Sequence, residues 1–106
     1  MKRIAIFASG SGTNAKNICK YFKNSKQVSV VLICTNNSKS NVLKKLSSYN
    51  LKHLIFTKED MNKLNLIENT LKTLDIDLIV LAGFLLKIPK KLIKIYNNKI
   101  INIHPS

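Results

Sequence analysis

Two short stretches of the chain bring together side chains able to do chemistry. Near its end, Asn102 and His104 stand two residues apart, with Pro105 immediately after them. Near its start runs Ser9-Gly10-Ser11-Gly12-Thr13-Asn14. An imidazole titrating near neutrality and a neutral carboxamide donor can together stabilise and protonate a developing oxyanion. In a strand, successive side chains alternate between faces, so Asn102 and His104 share one face and Ile101 and Ile103 take the other. Pro105 biases His104 toward an extended backbone. A histidine capping a strand end and an asparagine satisfying loop amides would have the same spacing, and spacing alone does not choose.

The glycine stretch follows an apolar run and precedes a helical pattern. Glycine lets the backbone turn tightly and approach a ligand, and a helix N-terminus presents free N–H groups at the positive end of its dipole. Both favour a phosphate, and a ligand-free strand-to-helix turn is the alternative. Gly10, Gly12 and Ala15 also satisfy a relaxed dinucleotide fingerprint, G-x-G-x-x-[GA]. That reading requires a carboxylate after the second strand. The chain instead has Thr35-Asn36-Asn37, and its first carboxylate is Glu59. A nicotinamide cofactor is therefore not expected.

These residues need a scaffold, and the hydrophobic pattern supplies one. Apolar or β-branched runs at 3–8, 28–35, 53–56, 78–82 and 100–103 read as strands. Between them lie helical stretches: from Thr13 or Asn14 to about Phe22, near Val42–Tyr49, after Thr57, and from Pro89 to about Tyr96. In the third of these, Leu64, Ile67, Leu71 and Leu74 form one apolar stripe. Strands alternating with helices predict an open, doubly wound, Rossmann-like α/β fold with a mainly parallel sheet of about five strands, forming one domain over 1–106. Ligands of such sheets bind beyond the carboxyl ends of the strands, so the glycine loop and the Asn102–His104 pair are expected at one rim.

Composition removes several classes. No apolar run approaches the roughly 20 residues a membrane helix needs. The N-terminal apolar segment runs into a glycine turn rather than a cleavage site, so a cytoplasmic location is expected. Cys19 and Cys34 have neither CxxC spacing nor histidines at ligand spacing, so no metal is expected, and Cys34 in its apolar run reads as a buried thiol. The net charge of +13 raises the question of nucleic acid. The basic residues are lysines spread along the whole length, with Arg3 the one arginine. A dedicated nucleic-acid surface more often clusters its charge and includes arginine forks, so a solvated lysine coat is the reading adopted, and no nucleic-acid partner is expected.

Ser-Gly-Ser-Gly-Thr-Asn (9–14), Leu-Ala-Gly-Phe (81–84) and Ile-Asn-Ile-His-Pro-Ser (101–106), in this order and separation, resemble the N-terminal half of the folate-dependent phosphoribosylglycinamide formyltransferases. Methionyl-tRNA formyltransferase has a similar histidine motif but a different first loop. The resemblance implies formyl transfer from 10-formyltetrahydrofolate, as co-substrate, to the amine of phosphoribosylglycinamide in purine synthesis. It implies that Gly12, Thr13 and Asn14 hold the substrate phosphate. Leu85, Leu86, Lys87, Ile88 and Asn102 would line the folate site, with Lys58 as a further contact. His104 would be the proton donor and Asn102 the partner of the oxyanion. Many members carry arginine where Leu86 stands. Members continue for about as many residues again, including an aspartate that orients the histidine, so the chain is expected to be a truncated version. Asp75 and Asp77 precede the fourth strand, at the rim away from ligands, and cannot replace that aspartate. A non-catalytic phosphate-binding module is the alternative reading.

Overall fold

The computed structural model describes residues 1–103; His104, Pro105 and Ser106 lie outside the described residues. Five strands, β1 (Lys2–Phe7), β2 (Val28–Thr35), β3 (Lys52–Ile55), β4 (Leu78–Ala82) and β5 (Ile100–Ile103), form one sheet in the order β3-β2-β1-β4-β5. Every pairing is parallel. The central strand explains the sequence pattern. Along β1 and just beyond it, Ile4, Ile6 and Ala8 pack on one face while Ala5 and Phe7 pack on the other. A strand covered on both sides has no polar positions to alternate with.

The helices divide between the two faces. On one side, α1 (Thr13–Phe22) contributes Ala15 and Cys19, and α2 (Val42–Lys45) contributes Val42. On the other lie α3 (Lys58–Lys63), α4 (Asn65–Thr73) and α5 (Lys90–Ile95), which bury Met61, Ile67, Leu71 and Leu92. Glu68 on α4 is 3.5 Å from the Lys91 ammonium on α5 and 3.2 Å from that of Lys72.

Three helices differ from the sequence reading. The segment after Val42 is a single α-turn followed by a 3-10 turn, Ser47–Tyr49. The long helix after Thr57 breaks in two at Leu64, whose φ is +65°. Leu64 closes α3 by donating its N–H to Asp60 O (2.8 Å) and opens α4 by accepting from Glu68 N–H (2.7 Å). A left-handed leucine costs about 1–2 kcal/mol. Burying its side chain, here 1% exposed, offsets this with about 1.5–3 kcal/mol. The apolar stripe therefore survives the break, with Leu64, Ile67 and Leu71 buried and Leu74 packed beside them. Pro89 stands one residue earlier than expected, as the extended residue before α5 rather than in its first turn.

At the amino rim the sheet is stapled. Arg3 donates its backbone N–H to the Asp77 carboxylate (2.9 Å) and its Nε–H to Leu74 O (2.6 Å). Asp77 N–H returns to Arg3 O (2.8 Å). The one arginine of the chain is thus committed to joining β1 to the start of β4. Asp77 sits at the opposite end of the sheet from the glycine loop, as the sequence reading required.

Candidate functional site

All five strands run the same way, so the loops that follow them gather at one rim. The strand order reverses between β1 and β4, and at such switch points open α/β sheets bind ligands. Here the two flanking loops are the glycine loop (9–12) and the segment 83–88.

The glycine loop is built for close approach. Gly12, at φ +84°, caps α1 and is buried. A Cβ placed on it would stand 2.6 Å from Val42 Cα and 2.8 Å from Val42 Cβ. No side chain except hydrogen fits between the start of α1 and α2. Gly10, by contrast, has nothing within 4 Å of such a Cβ. Its carbonyl accepts a hydrogen bond from Ser40 Oγ, which itself accepts from Val42 N–H (3.2 Å).

Among the described residues no side chain caps the N-terminus of α1, and its first turn holds no carboxylate. The bond from Lys16 N–H to Gly12 O (2.9 Å) closes the first turn, so the amides of Thr13, Asn14 and Ala15 have no acceptor within the helix. The hydroxyls of Ser11 and Thr13 lie 3.2 Å apart, and Lys45 Nζ donates to Thr13 Oγ1 at 3.2 Å. Free amides, two hydroxyls and an ammonium converge at the positive end of a helix dipole. Residues 1–58 hold no carboxylate to oppose an incoming anion. This arrangement suits a phosphate.

Lys45 and Ser11 are functional candidates that the sequence reading missed. Lys45 lies 32 positions from Thr13 in the chain, and among so many lysines nothing local distinguishes it. The turn that carries it is placed by Val42 against Gly12, which only the fold reveals.

Across the switch point, residues 83–88 divide by side. Leu86 and Ile88 turn inward and pack with Phe84 on the core, whereas Leu85 (81% exposed) and Lys87 face solvent. Phe84 meets Phe7 edge-on at 5.5 Å and Phe56 at 5.9 Å between ring centroids. The loops after β3 and β4 are thereby linked by aromatic contact. Lys58, the first residue of α3, is exposed at the same rim beyond β3. Strand order places it four strands from β5, about 19 Å at the usual ~4.8 Å spacing.

Asn102 is exposed near the end of β5, paired in register with Leu81, and thus on the sheet face that carries α3 to α5. Ile103 packs on the opposite face, and Ile101 beside it is 49% exposed. Asn102 is therefore on the face opposite Ile101 and Ile103, as the alternation predicts. The other member of the pair, His104, falls outside the described residues. One strand, β4, separates β5 from β1, so Asn102 and the glycine loop lie roughly 10 Å apart laterally by strand spacing.

Both thiols are buried, Cys19 on α1 and Cys34 on β2. Burial pushes Cys19 up to about 11 and Cys34 higher still, so neither is a nucleophile at neutral pH. Among the described residues no three His, Cys, Asp or Glu side chains form a metal site, and no helix is long and apolar enough to cross a membrane. Concavities among the described residues lie away from this rim, including one of about 390 Å³ beside Lys2, Gln27 and Asp77. One of about 320 Å³ sits beneath the end of α1 at the start of β2, and one of about 440 Å³ lies between β3 and α4.

A family model described as formyl transferase matches residues 2–106. The chain belongs to this formyltransferase family. Phosphoribosylglycinamide formyltransferase of Bacillus subtilis is 30% identical over 111 aligned residues, covering all of this chain and 57% of the relative. The chloroplastic enzyme of Vigna unguiculata is 31% identical, covering 99% of this chain and 35% of its own length. Among solved structures, glycinamide ribonucleotide transformylase 1 from Geobacillus kaustophilus superposes with a TM-score of 0.90 at 35% identity, over the whole chain and 59% of the neighbour. Phosphoribosylglycinamide formyltransferase from Anaplasma phagocytophilum gives 0.90 at 30% identity, over 99% of this chain and 50% of the neighbour. The chain spans about half the length of these formyltransferases. Its parallel five-stranded sheet corresponds to their N-terminal part.

Proposed function

We propose that this chain supplies the substrate-phosphate half of a phosphoribosylglycinamide formyltransferase, with 10-formyltetrahydrofolate as formyl donor. One observation carries the reading: an uncapped, carboxylate-free helix N-terminus behind Gly12, with Lys45 Nζ held over Thr13. The phosphate of phosphoribosylglycinamide would accept hydrogen bonds from the amides of Thr13 and Asn14 and from the hydroxyls of Ser11 and Thr13. Lys45 would neutralise its charge. The Gly12 turn lets the backbone close on the oxygens without a side chain intervening.

With the phosphate anchored there, the glycinamide amine is directed along the rim toward β4 and β5. The exposed Leu85 offers an apolar surface for the flat ring system of the folate, and Lys87 and Lys58 offer charge for its acidic tail. Leu86 and Ile88 would shape that site from beneath, through the core they pack on. In the transfer, the amine nitrogen attacks the formyl carbon. The carbonyl oxygen takes up negative charge, the bond from carbon to folate N10 breaks, and N10 receives a proton as the amine loses one. Asn102 would donate to the oxyanion and His104 would move the proton.

Titration with phosphoribosylglycinamide, followed by calorimetry and thermal shift, tests the phosphate site. Binding that weakens at least tenfold in Lys45→Ala is expected, from the ~1.5–3 kcal/mol of a charge-assisted hydrogen bond. No binding at millimolar substrate would overturn the reading. Formyl transfer that disappears in His104→Ala with substrate binding unchanged would assign the chemistry to this chain. Binding without transfer in the unmodified chain would leave it a phosphate-binding module.

A further inference from the structure

Ser9 is the residue on which the rim converges. It is 5% exposed and follows β1 at the switch point. Its hydroxyl donates to Asn36 Oδ1 at the end of β2 and accepts from Leu85 N–H (3.0 Å) in the loop after β4. Its backbone N–H donates to Gly83 O (3.2 Å). One serine therefore ties together the loops that follow β1, β2 and β4. A hydroxyl has one hydrogen to give and lone pairs to receive, and here it uses both capacities. Asn36 occupies the position where a dinucleotide-binding sheet would place its ribose-binding carboxylate, and it is turned inward onto Ser9 instead of outward to a ligand.

The glycine turn also has anchors of its own. It is held by Ser40 Oγ on Gly10 O, from the segment that leads into α2, and by the fit of Gly12 against Val42 of α2. The exposed Leu85 is held by Ser9: Gly83, at φ +70°, swings the chain off β4, and the Leu85 amide is caught two residues later. We propose that Ser9 is a positioning residue that sets the 83–88 loop against the glycine loop and so fixes the distance between the folate and phosphate subsites. The inference rests on the proposed function for the names of the two ligands, though not for the contact itself. Ligand sites a fraction of an ångström out of place lose much of their advantage.

Hydrogen exchange and binding on the intact chain test this with Ser9→Ala, and with Ser9→Thr, which keeps the oxygen. In Ser9→Ala the Leu85 amide is expected to exchange at least tenfold faster than in the unmodified chain, beyond any change at the Ile6 and Val80 amides, which report global stability. Ser9→Thr should restore most of that protection. In the binding arm, with folic acid and phosphoribosylglycinamide as probes, folic acid should weaken at least tenfold in Ser9→Ala while phosphoribosylglycinamide changes less than twofold. A uniform loss of both, or Leu85 exchange that rises only in step with Ile6 and Val80, overturns the positioning role. If the unmodified chain binds neither probe, the proposed function fails, and the Leu85 exchange result alone still decides the role of Ser9.

Discussion

Substituting the three glycines of the chain one at a time separates backbone conformation from close packing at the rim. Gly10→Ala meets nothing within 4 Å and needs no left-handed backbone. Its stability should stay within about 0.5 kcal/mol, or rise slightly as the unfolded chain becomes less free. Gly83→Ala also meets nothing but sits at φ +70°, so the left-handed penalty of about 1–2 kcal/mol stands alone. Gly12→Ala has φ +84° and in addition drives a methyl to 2.6 Å from the Val42 backbone. Overpacking against a backbone atom adds about 1–3 kcal/mol, giving roughly 2–5 kcal/mol when joined to the conformational penalty. At roughly 4 °C per kcal/mol for a domain of this size, Tm falls by about 8–20 °C. Urea denaturation and thermal melts of the three variants measure the series directly. Equal losses for Gly12→Ala and Gly83→Ala, within about 0.5 kcal/mol, would show that the approach of α2 to the glycine loop contributes nothing. The placement of Lys45 over Thr13 would then lose its structural basis.

Other perturbations have defined outcomes. Asp77→Ala removes the acceptor of Arg3 N–H at the amino rim and should cost about 1–3 kcal/mol in urea melts, with substrate binding unchanged because the proposed ligand rim is at the other end of the strands. Leu64→Ala should cost about 2–4 kcal/mol, since the lost burial outweighs any backbone change at that site; a neutral result would show that the break between α3 and α4 is held by something other than the leucine side chain. The thiols predict a pH dependence. Cys19 and Cys34 have folded pKa values raised by burial from about 9, so the stability their neutral forms contribute is complete below that pH and declines as pH rises from about 9 toward 11 and beyond. The double substitution Cys19→Ala, Cys34→Ala should flatten that decline in melts between pH 8 and 10.5, and an unchanged slope would assign it to other groups.

What could be read from the chain before folding follows its physics. The strands were legible because β1, β2 and β4 are buried on both faces and leave continuous apolar runs, and the glycine turn was legible because few residues tolerate such a backbone. The break at Leu64 was not legible. The apolar stripe keeps its spacing across it, and leucine carries no signal for a left-handed conformation. The contacts that assemble the rim are non-local: Ser9 to Asn36 and Leu85 spans 27 and 76 positions, and no local pattern encodes them. Lys45 was hidden for the same reason, within a lysine-rich composition. Leu86, grouped with Leu85 by sequence position alone, packs on the core because the loop alternates its side chains between protein and solvent.

The proposed phosphate site is the α1 N-terminus behind Gly12, on the rim it shares with β5. Amide chemical-shift mapping of the ¹⁵N-labelled chain during titration with phosphoribosylglycinamide addresses it most directly. The largest shifts are expected at Ser11, Gly12, Thr13 and Asn14, with smaller ones at Lys45 and along 83–88. Shifts absent there, or concentrated at the amino rim around Arg3 and Asp77, would contradict that assignment.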